Sequence, residues 1–177
     1  MKWWFKLAML LAAMGILYIS FVMASLNRVI DDEKFDRLRK IEIAYINSKG
    51  ENSCYKLPES RLLLSNVFYP IKELRDNLWI YFSRDKIDKL RVLLLVRDKK
   101  IGELLSLKAK AVNEKTINRQ IKKIKEMSEK LNANLKDIDN NRIEDRELQR
   151  RGEMSNEFYE FILEKFYSGE RIKRCYE

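Results

Sequence analysis

Three patterns in the chain carry residue types that could do chemistry. Ser53-Cys54-Tyr55-Lys56 fits S-x-x-K, in which a lysine amine activates a serine nucleophile. The companion motifs S-D-N and K-T-G do not occur in the sequence, so the match reads as chance. Asp137, Asp139 and Asn141 occupy the first, third and fifth positions of a calcium loop. Arg142 then stands where glycine must make the turn, and Leu148 stands where a bidentate glutamate must close the shell. Glu73 and Asp76 form a carboxylate pair on one helix. Paired carboxylates cleave glycosides only beside a sugar cleft, and Lys and Arg at helical spacing account for these two as ion pairs.

The 177 residues include no His, which excludes Ser-His-Asp and Cys-His nucleophiles and any imidazole metal site. The five glycines, Gly15, Gly50, Gly102, Gly152 and Gly169, are isolated, so no phosphate-cradling loop can be written from them. The expectation is a protein without catalysis, cofactor or metal. Its residues are 36% charged, with 5 Gly and 2 Pro, a composition of long helices. The fold class expected is all-α: one N-terminal transmembrane helix, then a small helical bundle containing a long heptad-patterned helix.

The span is the uncharged run 7–26, carried by Leu7, Leu10, Leu11, Ile16, Ile19, Phe21 and Val22. As a helix it is about 30 Å long, the thickness of a bilayer's hydrocarbon core. Lys2 and Lys6 precede it, with Trp3 and Trp4 between them at interface depth, and Arg28, Asp31, Asp32 and Glu33 follow. The positive-inside rule puts the N-terminus in the cytoplasm and the remainder outside the membrane. An uncleaved signal-anchor is the first reading, because the run exceeds the 7–15 residues of a signal peptide. The alternative is a secreted chain, cleaved after Val22-Met23-Ala24.

Residues 27–48 are expected to be helical, with Phe35, Leu38, Ile41 and Tyr45 at helical spacing, although Ile41-Glu42-Ile43 also fits a short strand. Residues 49–53 and Leu57-Pro58 read as loop. A helix starts near Pro70 with the apolar stripe Ile71, Leu74, Leu78 and Phe82. The next covers 86–111 with Ile87, Leu90, Leu94, Ile101 and Leu105 on one stripe. In the helix after it, Ile117, Ile121, Ile124, Ser128, Leu131, Leu135 and Ile138 step alternately by four and three, a heptad seam. That seam needs a partner helix, either in the same molecule or in a second copy as a homo-oligomer. A turn is expected at 139–141, then a helix over 142–167 with Phe158, Phe161, Ile162 and Phe166 on its apolar face. Ser155 after Gly152 marks a break or a fresh N-cap, and Gly169 ends the helix. The expected organisation is an anchor (1–27), a membrane-proximal helix and loop (28–56), an exported bundle (57–169) and a basic tail (170–177).

Residues 86–136 hold fifteen Lys and Arg against six Asp and Glu. Lys115, Arg119, Lys122, Lys123 and Lys125 either form a surface for an anionic lipid or wall polymer, or are the solvated face of a bundle helix. No aromatic residues interleave with them, so nucleic acid is not the expected partner. The two cysteines, Cys54 and Cys175, could pair outside the cytoplasm or remain separate thiols. A bond would tie the tail to the first loop across more than 100 residues.

Leu57-Pro58-Glu59-Ser60 is followed by Phe68-Tyr69-Pro70-Ile71-Lys72-Glu73-Leu74-Arg75-Asp76, then by Phe82-Ser83-Arg84-Asp85-Lys86 and the helix from Ile87. This succession resembles a helical domain of unknown function found in exported bacterial proteins. That family runs L-P-[DE]-S, an aromatic-Pro or aromatic-Leu pair, a K-x-x-[RK]-[ED] helix, an F-D-P-E-K-like turn and a long helix. The resemblance covers residues 57–107 and implies an exported, mostly helical, membrane-linked module. It carries over no catalytic residues. With the resemblance, the location expected is a bacterial cell membrane and the role structural or interactive at the cell envelope, the alternative being binding of an anionic polymer or lipid through 86–136.

Overall fold

A computed structural model describes residues 2–30, 40–58, 68–83, 85–109, 113–138, 143–170 and 172–175. The elements are α1 (Lys2–Ile30), β1 (Lys40–Ile46), β2 (Asn52–Pro58), α2 (Tyr69–Phe82), α3 (Lys86–Ala109), α4 (Glu114–Leu135) and α5 (Ile143–Ser168). Helix α3 occupies the centre and touches α1, α2, α4, α5 and β2. Its run Val92-Leu93-Leu94-Leu95-Val96 is buried on every side, as a helix surrounded by others must be.

The all-α expectation is corrected: the molecule is mostly helical but carries a two-stranded antiparallel sheet. Ile41 and Tyr45 lie on β1, where alternation turns Ile43 and Tyr45 into the core. The expected helix over 27–48 therefore gives way to a strand at its C-terminal end, while Phe35 and Leu38 lie outside the described residues. The loop expected at 49–53 and 57–58 shrinks to the turn between the strands. Asn47 builds that turn: its side-chain oxygen accepts from the amides of Lys49 (3.0 Å) and Glu51 (2.8 Å), and Gly50 takes φ 78°. The register pairs Ile46 with Asn52 and Lys40 with Pro58.

The heptad seam closes inside the molecule. Ile117, Ile121 and Ile124 join the core shared with Tyr55, Leu57, Ile101, Leu104, Phe158 and Ile162. Leu131, Leu135 and Ile138 join Leu90, Leu93, Leu94 and Leu148. This face is covered without a second copy of the chain. Helix α5 runs unbroken through Gly152 and Ser155, so the expected break is corrected. Gly152 instead admits Leu135, whose Cδ1 lies 2.6 Å from where a Cβ would be. Gly169 ends α5 at φ 75°. The turn expected at 139–141 lies outside the described residues.

Helix α2 starts at Tyr69 with Pro70 in its first turn, as the sequence suggests, but its stripe is split: Leu78 and Phe82 pack inward, and the first half does not. Ile71 and Leu74 are exposed, while Tyr69, Lys72, Asp76 and Trp79 are buried. Apolar residues at helical spacing normally face inward; in the first half of α2 the inward face is chosen instead by partners for buried charge.

The tail returns to the sheet. Ala44 donates its amide to the Lys173 carbonyl (3.1 Å) and Cys175 to that of Glu42 (3.3 Å), along the free edge of β1. Cys54 and Cys175 are disulfide-bonded with Cα atoms 6.0 Å apart, 121 residues apart in sequence. Closing a loop of that length removes about 4–5 kcal/mol of denatured-state entropy. Reduction is therefore expected to lower stability and to speed hydrogen exchange at the Ala44 and Cys175 amides, leaving α3 amides slow. Unchanged exchange at both amides would show that the tail holds without the bond.

Candidate functional site

Two features could carry function: a buried polar layer along α3, and a joint between α1 and the rest of the molecule. The polar layer begins with Arg97, Asp98, Lys100 and Glu103, all buried. Such charges cost several kcal/mol each unless paired and hydrogen-bonded. Neighbouring elements supply the partners in two centres.

In the first centre Glu103 receives an ion pair from Lys72, the Tyr69 hydroxyl (3.0 Å) and the Gln120 amide (3.1 Å). Gln120 also donates to the Lys100 carbonyl at 3.2 Å. Lys100 reaches the Tyr69 oxygen (3.4 Å) and Glu73 (3.7 Å), and Lys123 pairs with Glu73. Burial pulls the Lys100 ammonium down, against the charge of Glu73. It pushes the Tyr69 phenol up to about 12, helped by Glu73 and Asp76. Burial also works against the Glu73 carboxylate, but the hydrogen bond from Lys123 and the charge of Lys100 outweigh it and hold its pKa below the usual range. A cavity of about 270 Å³ adjoins this centre, lined in part by Glu73, Lys100, Lys123 and Lys130.

In the second centre Arg97 is fully buried and donates to Ser155, Asn156 and Ser128, the last at 3.3 Å. Asp98 accepts from Ser155 (2.6 Å) and the Tyr55 hydroxyl (2.7 Å). Burial raises the Asp98 carboxyl pKa, opposed by Arg97 and by these two donors. Tyr55 stacks on Phe158 with centroids 4.5 Å apart, which fixes its hydroxyl.

At the joint, Trp79 is buried against Val22, Leu26, Val92, Leu95 and Val96. Its indole nitrogen donates to the Val22 carbonyl (3.2 Å) and to Ser25 (2.9 Å). Tyr18 donates to the Ile71 carbonyl at 3.1 Å. Arg75 and Lys99 lie over the Trp79 ring at 4.4 and 4.8 Å. Burial pulls the Lys99 ammonium down to about 8, against the charge of Asp76.

The sites read from sequence fall out as follows. Ser53 and Lys56 sit three residues apart on a strand and so face opposite ways; Lys56 pairs with Glu42 at 3.3 Å. Asp137 pairs with Lys86 at 3.3 Å. Glu73 and Asp76 are held by Lys123 and Arg75. The basic set is divided: Lys115, Arg119, Lys122 and Lys125 are exposed, whereas Lys123 is turned to Glu73. Glu126 and Glu129 are exposed on the same helix, so its outer face is mixed in sign. Of the span residues, Leu10, Leu11, Ile16, Ile19 and Phe21 are bare, Leu7 is partly covered and Val22 is buried in the joint. Sequence reasoning missed Arg97, Asp98, Lys100, Glu103, Lys72 and Gln120. The available signal was the five-residue apolar run 92–96, which places α3 inside and its next turns with it.

Among the described residues, no group of three or more His, Cys, Asp or Glu could hold a metal ion. The polar layer pairs its charges across elements, which fixes how the helices around α3 are turned. No protein-family model, curated protein or solved structure matches this chain.

Two outcomes are expected. Asp98→Ala strands the Arg97 charge and should cost about 3–5 kcal/mol in denaturant unfolding, whereas Lys56→Ala at an exposed pair should cost under about 1 kcal/mol. For Lys99, folded and unfolded chains are both protonated below about 8, and its burial cost is fully felt there. Between about 8 and 10.5 the unfolded chain holds the extra proton, so stability rises with pH across that window. The Tm of the detergent-solubilised chain should therefore rise less from pH 7.5 to 9.5 in Lys99→Met than in the native sequence. Equal slopes would contradict this assignment.

Proposed function

We propose that this chain is a single-pass, membrane-anchored helical module of the bacterial cell envelope. Its N-terminus is cytoplasmic, its helical domain lies outside the membrane, and its role is structural or interactive, without catalysis. The observation that carries this reading is the joint at residues 18–26. Helix α1 is long and apolar enough to cross a bilayer over Trp3–Leu26. Most of that length is bare, yet its last turns are bolted to Trp79 and Ile71. Anchor and domain therefore form one packed unit.

Three further points support it. Cleavage after Ala24 would remove Val22, fully buried, and empty a place in the core beside Trp79. The Cys54–Cys175 bond suits an oxidising exterior. The likeness of residues 57–107 to exported bacterial modules points the same way.

Protease added to intact cells is expected to degrade the domain after residue 30 and to leave an α1 fragment in the membrane. Protection until the membrane is opened would overturn the orientation. Recovery of the chain from culture medium without its first 24 residues would overturn the anchor.

A further inference from the structure

Helix α2 has its polarity reversed for a helix facing water. It buries Lys72 and Asp76 and turns outward Ile71, Leu74 and Tyr81, with Phe68 at its N-cap. These four are 62% (Phe68), 53% (Ile71), 51% (Leu74) and 80% (Tyr81) exposed. Scattered exposed apolar residues need no explanation, but a stripe at helical spacing, interrupted only by Asn77, does. The stripe exists because the opposite face is committed: Lys72 and Tyr69 must reach Glu103, and Trp79 must reach Val22 and Ser25.

What lies beside the stripe identifies what covers it. Tyr18 of α1 is hydrogen-bonded to the backbone of Ile71, a stripe residue. Leu78 and Phe82 pack against the core cluster that holds Val22 and Leu26 of α1. The stripe is thus continuous with the bare apolar surface of α1, where Leu11, Leu17 and Phe21 are exposed by 60%, 70% and 66%. Contacts with α2 advance from Tyr18–Ile71 to Ser25–Trp79, so α2 rises in the same sense as α1. Phe68, Ile71 and Leu74 then lie toward the span, and Tyr81 lies toward the end where α1 leaves it. A tyrosine ring is best satisfied at headgroup depth, and Phe and Leu deeper.

We propose that the outer face of α2 is a second membrane contact: running alongside the last turns of α1, its N-terminal half meets the outer leaflet of the bilayer. Acyl chains cover Phe68, Ile71 and Leu74, and the Tyr81 hydroxyl meets the headgroups. This rests on the membrane anchoring of α1 proposed above. Its consequence is that the domain is held against the bilayer in one orientation, with no stalk beneath it.

The test uses the full-length chain, with Cys54 and Cys175 bonded, reconstituted in phosphatidylethanolamine–phosphatidylglycerol vesicles. Nitroxide labels are placed singly through Ile71→Cys and Leu74→Cys. Leu11→Cys in the span and Lys122→Cys on α4 serve as references. Collision with oxygen, which partitions into lipid, is compared with collision with a water-soluble nickel chelate. Labels at 71 and 74 are expected to give an oxygen-to-nickel ratio several-fold above that at 122, approaching that at 11. Water-like ratios at 71 and 74 beside a lipid-like ratio at 11 would overturn the interfacial contact and leave the anchor standing. A water-like ratio at 11 as well would remove the anchor and this proposal with it. Low collision with both reagents, together with dipolar broadening between labels, would mean that a second copy covers the stripe, and would also overturn it.

Discussion

The arrangement of this protein depends on the need to match the charges that α3 carries into the core. A buried ion without a partner costs more than most single contacts can offset. Arg97, Asp98, Lys100 and Glu103 therefore constrain what may pack around them. Helix α5 must present Ser155 and Asn156 to Arg97, α4 must present Ser128 and Gln120, β2 must present Tyr55, and α2 must present Lys72 and Tyr69. Hydrophobic burial brings these elements together, since Leu90 to Val96 and Ile101 to Leu107 are apolar on several sides. The polar centres then select one rotation for each helix, because hydrogen bonds are directional and apolar contacts are not.

The rotation of α2 illustrates how far this selection reaches. By hydropathy alone its Ile71, Leu74, Leu78 and Phe82 would face α3. The pairing of Lys72 with Glu103 fixes its first half, so that Ile71 and Leu74 face out while Leu78 and Phe82 still pack inward, and two results follow. Trp79 is placed where its indole can clasp the last turns of α1, and Ile71 and Leu74 are left on the outside next to that same helix. A charge pair at one end of α2 and the anchor joint at the other are thereby settled by a single orientation. The apolar helix and the rest of the molecule are consequently packed as one unit.

The sheet has a different logic. Two strands are marginal by themselves, and here they are secured on three sides. The inner face of β1 and β2 packs Tyr45 and Tyr55 on Phe158. Pro58 approaches α3 where Gly102 leaves room for its carbonyl, 3.2 Å from where a Cβ would be. The tail covers the edge of β1 and the Cys54–Cys175 bond retains it, so the edge is not left open to pair with another chain.

The sequence by itself determined the elements whose signals are local and periodic. The uncharged run 7–26 specifies an apolar helix, Pro70 the start of α2, the four-three stepping from Ile117 to Ile138 the seam of α4, and Gly169 the end of α5. These read directly because helix period, φ restriction and side-chain hydropathy act within a few residues. Only the tertiary structure decided which charges are buried, which face of α2 turns inward, that 40–58 forms a hairpin, and that Ser155 is a mid-helix ligand to Arg97 and Asp98. Each depends on a partner far away in the chain: Lys72 on Glu103, Tyr55 on Asp98, Cys54 on Cys175, Tyr18 on Ile71. A residue's own type states what bond it can make; whether it lies at the surface or at the centre is set by what folds over it.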